Sequence, residues 1–152
     1  MRNTAVRLAA IVAEAEGHLR VIPEREAAAA LRSGGWSAKQ ALGHLIDSAS
    51  NNHQRFVRAA LQDGLEWPSY DQNGCVRIEA FQEAPWDMLI DVWSAMNRLL
   101  SHVLAHLPSE KAQVRCRIGG EADMPLEELA RAYVAHLQHH LAQLAEPRLS
   151  SR

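Results

Sequence analysis

The sequence predicts an all-α fold, a four-helix bundle with long connections between its second and third helices and between its third and fourth. Three observations carry that expectation. Apolar residues recur at helical spacing through four stretches, each long enough to cross a small domain. The six prolines fall between those stretches or at their ends, where a missing N–H does no harm. No segment repeats another. At 152 residues the chain reads as a single domain spanning 1–152, and a domain of that size buries roughly 68–70% of its unfolded surface without needing a disulfide or structural metal.

In the first helix Leu8, Ile11, Val12, Ala15, Leu19 and Ile22 mark one face, and Pro23 ends the run. The alanine-rich stretch from Glu24 to Leu31 extends it as a short helix, closed by Gly34 and Gly35. The second helix has the clearest start in the chain. Ser37-Ala38-Lys39-Gln40 fits a capping box, in which the serine hydroxyl and the glutamine amide satisfy each other's free backbone N–H groups. Leu42, Leu45, Ile46, Ala49, His53, Phe56, Val57 and Ala60 follow at core spacing, up to Gly64.

Pro85 opens the third helix as its first helical residue. Its expected stripe is Leu89, Val92, Trp93, Met96, Leu99, Leu100, Val103 and Leu107, stopped by Pro108. Pro125 opens the fourth, with Glu127 and Glu128 near its positive end. Leu126, Leu129, Ala130, Tyr133, Val134, Leu137, Leu141 and Leu144 form its buried face before Pro147. The connections 65–84 and 109–124 are long for a compact domain, which marks them as functional or disordered. Their aromatic and alternating apolar residues favour order, and 114–120 reads as a small hairpin.

Composition excludes several function classes. The net charge is −2 and the pI is near 6.4, with acids and bases interspersed, so nothing marks a nucleic-acid or anionic-membrane partner. No stretch approaches the ~20 apolar residues of a membrane span. The amino-terminal stretch is broken by Glu14 and Glu16 and does not read as a signal peptide. Cys75 and Cys116, far apart and in predicted loops, read as free thiols of a cytoplasmic protein.

Eight histidines remain to be sorted. His102 and His106 are four apart but lie off or at the margin of their helix's stripe, so they face solvent. His53 falls in the stripe of the second helix and reads as a hydrogen-bonded core histidine. His18 sits at the edge of the first helix, and His139 points away from the core of the fourth. His136 and His140 are different. They stand one turn apart at the flank of an apolar stripe, which lets two imidazoles share one ion, although a partly exposed pair near a helix end explains the spacing as well. His44 lies opposite the apolar stripe of the second helix, and its neighbours there are Asp47, Ser48, Asn51 and Arg55. Between Gln40 and Gln54 the only formal charge is Asp47, so this face suits a cleft better than open water. Leu137 stands where a His-Glu-x-x-His protease needs its glutamate. There is also no phosphate loop, nucleophile elbow or Cys-x-x-Cys pair. What the spacing supports is an open three-histidine metal site.

Read in order, Trp36-Ser37, Gly43-His44-Leu45-Ile46-Asp47-Ser48, Arg55-Phe56, Tyr70-Asp71-Gln72, Pro125-Leu126-x-x-Leu129 and His136-x-x-x-His140-x-x-Gln143-Leu144 resemble the DinB/YfiT-like superfamily of bacterial four-helix metalloproteins. The resemblance implies one divalent ion, zinc or nickel first, on His44, His136 and His140. It implies an S-transferase or isomerase acting on a small molecule with a low-molecular-weight thiol, and a homodimer. An ion held by three neutral ligands keeps its full charge and can acidify a bound thiol or water. Asp47 and Gln143, each a turn from a ligand, are candidates for orienting an imidazole or the substrate, and Arg55 for holding an acidic group. Two alternatives stay open: a hydrolase in which metal-bound hydroxide attacks an amide or ester, and a helical binding or oligomerisation module with no enzymatic role.

Overall fold

The computed structural model describes residues 1–31, 35–62 and 64–145; the expected closing Gly34 and the stop at Pro147 lie outside them. Four long helices form the bundle: α1 (Arg2–Arg20), α3 (Ala38–Leu61), α5 (Trp86–His106) and α6 (Leu126–Leu144). Between them lie α2 (Glu24–Ala27), β1 (Leu65–Trp67), α4 (Gln72–Ile78), β2 (Arg115–Ile118) and β3 (Met124–Pro125). Helix α5 packs along both α1 and α3, while α6 closes the bundle against α3 and α1. No helix among the described residues is long and apolar enough to cross a membrane.

Helix α3 is the central element. Its capping box forms as expected: the Gln40 N–H donates to Ser37 Oγ at 3.2 Å, and the Ser37 N–H donates to Gln40 Oε1 at 2.9 Å. The helix stops at Leu61, ahead of the predicted Gly64. Every residue from 41 to 49 is buried, so α3 is covered on all sides through its first half. Gly43 allows one of those close contacts. A Cβ there would run into the ring of Phe81, which a 3₁₀ turn (Phe81–Glu83) lays flat on the helix.

The third predicted stripe is rotated. On α5 the buried residues are Trp86, Leu89, Ile90, Trp93, Ser94, Asn97, Leu100 and Leu104, whereas Val92 and Leu99 are 40% and 50% exposed. Asn97 explains the difference. Its amide donates to the Trp93 carbonyl at 2.9 Å, and its Oδ1 accepts from the Tyr133 hydroxyl at 2.5 Å. A buried polar group satisfied in this way sits in the core without leaving a hydrophobic signal.

The short elements differ from expectation too. The stretch from Glu24 to Leu31 is helical only to Ala27. The connection 65–84 carries β1, the 3₁₀ turn and α4, whose first turn is capped by Asp71 accepting from the Gly74 N–H at 2.9 Å. Of the hairpin expected within 114–120 only the first strand forms there: β2 pairs antiparallel with β3, beyond that stretch, and β1 joins in parallel with Leu65 opposite Cys116. Gly119 and Gly120, at φ of 62° and 78°, make the turn after β2. The two long connections are therefore tied together by one small sheet. Cys75 lies in α4 and Cys116 in β2 rather than in loops, and both are free thiols.

Glu16 ties α1 to α5. It accepts from Ser94 Oγ at 2.7 Å, from Arg98 at 2.5 Å and from Arg20 at 2.7 Å. The Ser94 hydrogen bond and the Arg20 guanidinium hold its carboxyl below the usual carboxylate range. A depressed folded pKa adds stability above the ordinary value and loses it as pH falls through the folded one. Glu16→Gln is expected to cost about 1 kcal/mol at pH 7, discounted for the exposed arginines, with the difference vanishing in denaturant titrations at acid pH. Gly43→Ala is expected to lower stability by about 1–3 kcal/mol, because the Phe81 ring must move off the helix; thermal unfolding measures it.

Candidate metal centre

The last helix supplies two candidate ligands from one ridge. His136 and His140, four apart on α6, have ring centroids 4.6 Å apart. His44 meets them from α3, its ring 5.1 Å from His136 and 4.8 Å from His140. One ring nitrogen from each of the three lies within 4.8 Å of the others. His44 lies opposite the apolar stripe, on the face expected to meet a cleft, and is completely buried, because α6 and the chain before α3 cover that side. Trp36, in that chain, sets its indole 5.1 Å from the His44 ring and 6.4 Å from His140.

The electrostatics keep these rings neutral. Burial pushes the His44 and His136 imidazoles down to about 4 and lowers His140 as well, so their nitrogen lone pairs are free at neutral pH. His44 Nε2 and His136 Nε2 stand 3.2 Å apart. Two nitrogens bonded to one zinc at 2.0–2.1 Å in a tetrahedron are separated by about 3.3 Å, so this pair already spans such an edge. His44 Nδ1 and His140 Nδ1 are buried without a hydrogen-bond partner. Orphaned buried nitrogens are rare in folded proteins. The donor set fits a divalent first-row ion.

The other histidines do not join. His18, His102, His106 and His139 are exposed, and His53 is half-buried rather than a core residue, its place in the core taken by Asn52 and Phe56. His102 and His106 stack with centroids 4.2 Å apart, and His106 Nδ1 sits 2.8 Å from the His102 carbonyl oxygen.

The expected supporting residues divide. The Gln143 amide lies 3.2 Å from His139 Nε2 and also hydrogen-bonds His140, so it reaches one member of the triad. Asp47 is 7% exposed and leaves Oδ2 without a partner. Burial and the neighbouring Glu79 carboxylate, with which it shares a hydrogen bond, push its carboxyl up to about 7. Arg55, the candidate for holding an acidic group, is 8% exposed. It lines a cleft of about 200 Å³ with Ser48, Asn52, Tyr70, Gln72 and His136. The cleft thus begins at one triad member and runs along α3. A larger groove of about 490 Å³, between α1 and α6, is lined by Ile11, His18 and Leu141 and includes no triad member. Burial raises both thiols, Cys75 and Cys116, which keeps them protonated.

Trp36 and Tyr70 entered the sequence reading only as residues of the family pattern, with no role assigned, and Glu79 did not enter it. Tyr70 and Glu79 come from the connection after α3, and nothing in their spacing shows that it folds back over the helix.

Comparison with known proteins adds to this picture. The model of the DinB superfamily matches residues 7–144. A Bacillus pumilus protein named "Putative metal-dependent hydrolase" is 27% identical over 76% of this chain and 66% of its own length. A similarly named Bacillus licheniformis protein is 28% identical over 74% of this chain and 65% of its own. One from Halalkalibacterium halodurans is 21% identical over 82% and 72%. The matched segment therefore spans about two thirds of these relatives. Among solved structures, YfiT from Bacillus subtilis, described as "a probable metal-dependent hydrolase with an unusual four-helix bundle topology", superposes with a TM-score of 0.83 over 93% of this chain and 82% of that one, at 19% identity.

Asp47 provides a pH signature. A carboxyl whose folded pKa is raised destabilises the fold as pH climbs from its ordinary value towards about 7, since the unfolded chain releases the proton first. Asp47→Asn is expected to remove that decline. Carboxyl-carbon NMR should place the native midpoint near 7, and Glu79→Gln should lower it; an unchanged midpoint in Glu79→Gln would show that the pair is not coupled.

Proposed function

Because the chain belongs to the DinB superfamily, we propose that it is a metal-dependent hydrolase whose divalent ion is held by His44, His136 and His140. The observation that carries this reading is the convergence of three neutral ring nitrogens within 4.8 Å at the end of a polar cleft. Its match to proteins named as metal-dependent hydrolases supports the same reading. Of the two metal-dependent expectations, hydrolysis is therefore the better supported, and nothing observed favours transfer of a low-molecular-weight thiol. Nitrogen donors suit zinc or nickel among the first-row ions.

When bound, such an ion supplies Lewis acidity and brings the pKa of water towards neutrality. The chain's own groups do the rest. Asp47, a turn beyond His44 with its carboxyl near 7, is poised to take up and return a proton at physiological pH. Tyr70 is pushed up to about 12 by burial, so its hydroxyl stays protonated and can donate to a substrate oxygen. Ser48 and Asn52 line the cleft; the Asn52 amide donates to the Ser48 carbonyl at 2.8 Å, which fixes its side chain. Trp36 covers the triad on the side facing the start of α3.

Untagged protein is expected to carry close to one first-row metal per chain by elemental analysis, and His136→Ala to lose most of it. Metal-loaded protein should hydrolyse members of a panel of p-nitrophenyl esters and p-nitroanilides without added thiol, lose activity to a chelator and regain it on metal addition. A metal-free native protein, or activity strictly dependent on a low-molecular-weight thiol, would overturn the reading. Asp47→Asn should lower kcat by about 10²-fold or more and remove the acid limb of the pH profile, with metal content unchanged.

A further inference from the structure

We propose that the cleft between α3 and α6 is a subsite for a small carboxylate-bearing substrate, which it holds through an ion pair to Arg55. The assignment rests on the hydrolase reading only for what is done to that substrate; binding itself does not depend on it.

Among the described residues, Arg55 is a buried charged group without a counterion. It is 8% exposed, lines the cleft, has no hydrogen-bond partner at Nε, and takes part in none of the described ion pairs. A guanidinium cannot shed its proton to escape burial, as a lysine can. Buried charges in folded proteins are paired, because an unpaired one forfeits its hydration for nothing. The groups around Arg55 do not supply the countercharge. Tyr70 keeps its proton up to about 12. Ser48, Asn52 and Gln72 are neutral. Asp47, two turns back on α3, is hydrogen-bonded to Glu79. By contrast Lys39, the other buried cation on this helix, is paired with Glu24. The missing anion is therefore expected from a ligand.

The lining selects the kind of anion. One guanidinium fork matches the two oxygens of a carboxylate and balances a single negative charge. A phosphate dianion would leave a charge uncompensated, because no lysine or second arginine lines the cleft. Its volume of about 200 Å³ suits a small molecule. Leu129 and Ala132 give it an apolar wall, and His136 stands at the end nearest the triad. A short N-acyl amino acid fits these demands, with its carboxylate on Arg55, its aliphatic part on that wall and its acyl carbon towards the histidines.

The test compares N-acetylalanine with N-acetylalanine amide, its neutral counterpart, in calorimetric titrations of the metal-loaded protein. The acid is expected to bind at least tenfold tighter than the amide, and methyl phosphate more weakly than the acid. Arg55→Gln should bring the acid to the level of the amide while keeping the metal, and Arg55→Lys should restore part of the preference. Equal binding of acid and amide by native protein would overturn the proposal, as would tighter binding of methyl phosphate. So would an Arg55→Gln protein that keeps the preference, since the carboxylate would then sit on the metal. Should Arg55→Gln fail to fold, the native acid-to-amide ratio and Arg55→Lys decide the matter. The two readings separate cleanly: a retained acid preference without turnover of any ester or amide would end the hydrolase reading alone, and turnover without acid preference would end this one alone.

Discussion

Burying a histidine at the centre of a helical bundle is an unfavourable act, and the rest of this fold is arranged around it. His44 sits on a helix covered on every side through its first half, with no solvent to hydrate its ring. Nothing among the described residues accepts from or donates to its Nδ1, and its Nε2 faces another imidazole nitrogen at 3.2 Å. Desolvation alone would favour replacing such a residue with leucine. The same desolvation that penalises the ring keeps it in the neutral form that a metal ion requires of a ligand.

Rigidity follows from how the three imidazoles are delivered. Two come from successive turns of α6, where the helix itself fixes their separation, and the third from a helix whose start is locked by a reciprocal serine–glutamine cap. Tyr133, one turn before His136, anchors α6 to α5 through Asn97. Because Gly43 lacks a side chain, Phe81 can close over α3 directly beside His44. Sites built on packed helices hold their geometry more tightly than sites built on loops.

Along α3 the character of one face changes over three turns, from the neutral imidazole of His44 through Asp47 and Ser48 to Asn52 and Arg55. These polar residues are all buried, yet they differ in charge state. The histidine is pushed towards neutrality, the aspartate keeps its proton to about 7, and the arginine stays cationic. A single desolvated face therefore carries a neutral imidazole, a carboxyl that keeps its proton towards neutrality and a fixed positive charge in sequence.

The sequence by itself determined the helices, because amphipathic period, proline placement and a capping box are local properties that each helix carries within its own residues. It determined the pairing of His136 with His140 for the same reason, and the scarcity of charge between Gln40 and Gln54 correctly marked a cleft. Only the tertiary structure decided that His44 and Arg55 are buried, since helical phase reports the side facing one neighbour and α3 has neighbours all round. The rotation of α5 was hidden likewise, because a buried asparagine satisfied by Tyr133 from another helix breaks the apolar pattern without leaving the core. The small sheet, the position of Glu79 beside Asp47 and the closure of Phe81 over Gly43 depend on segments distant in sequence folding back on α3, and contacts of that kind leave no periodicity to read.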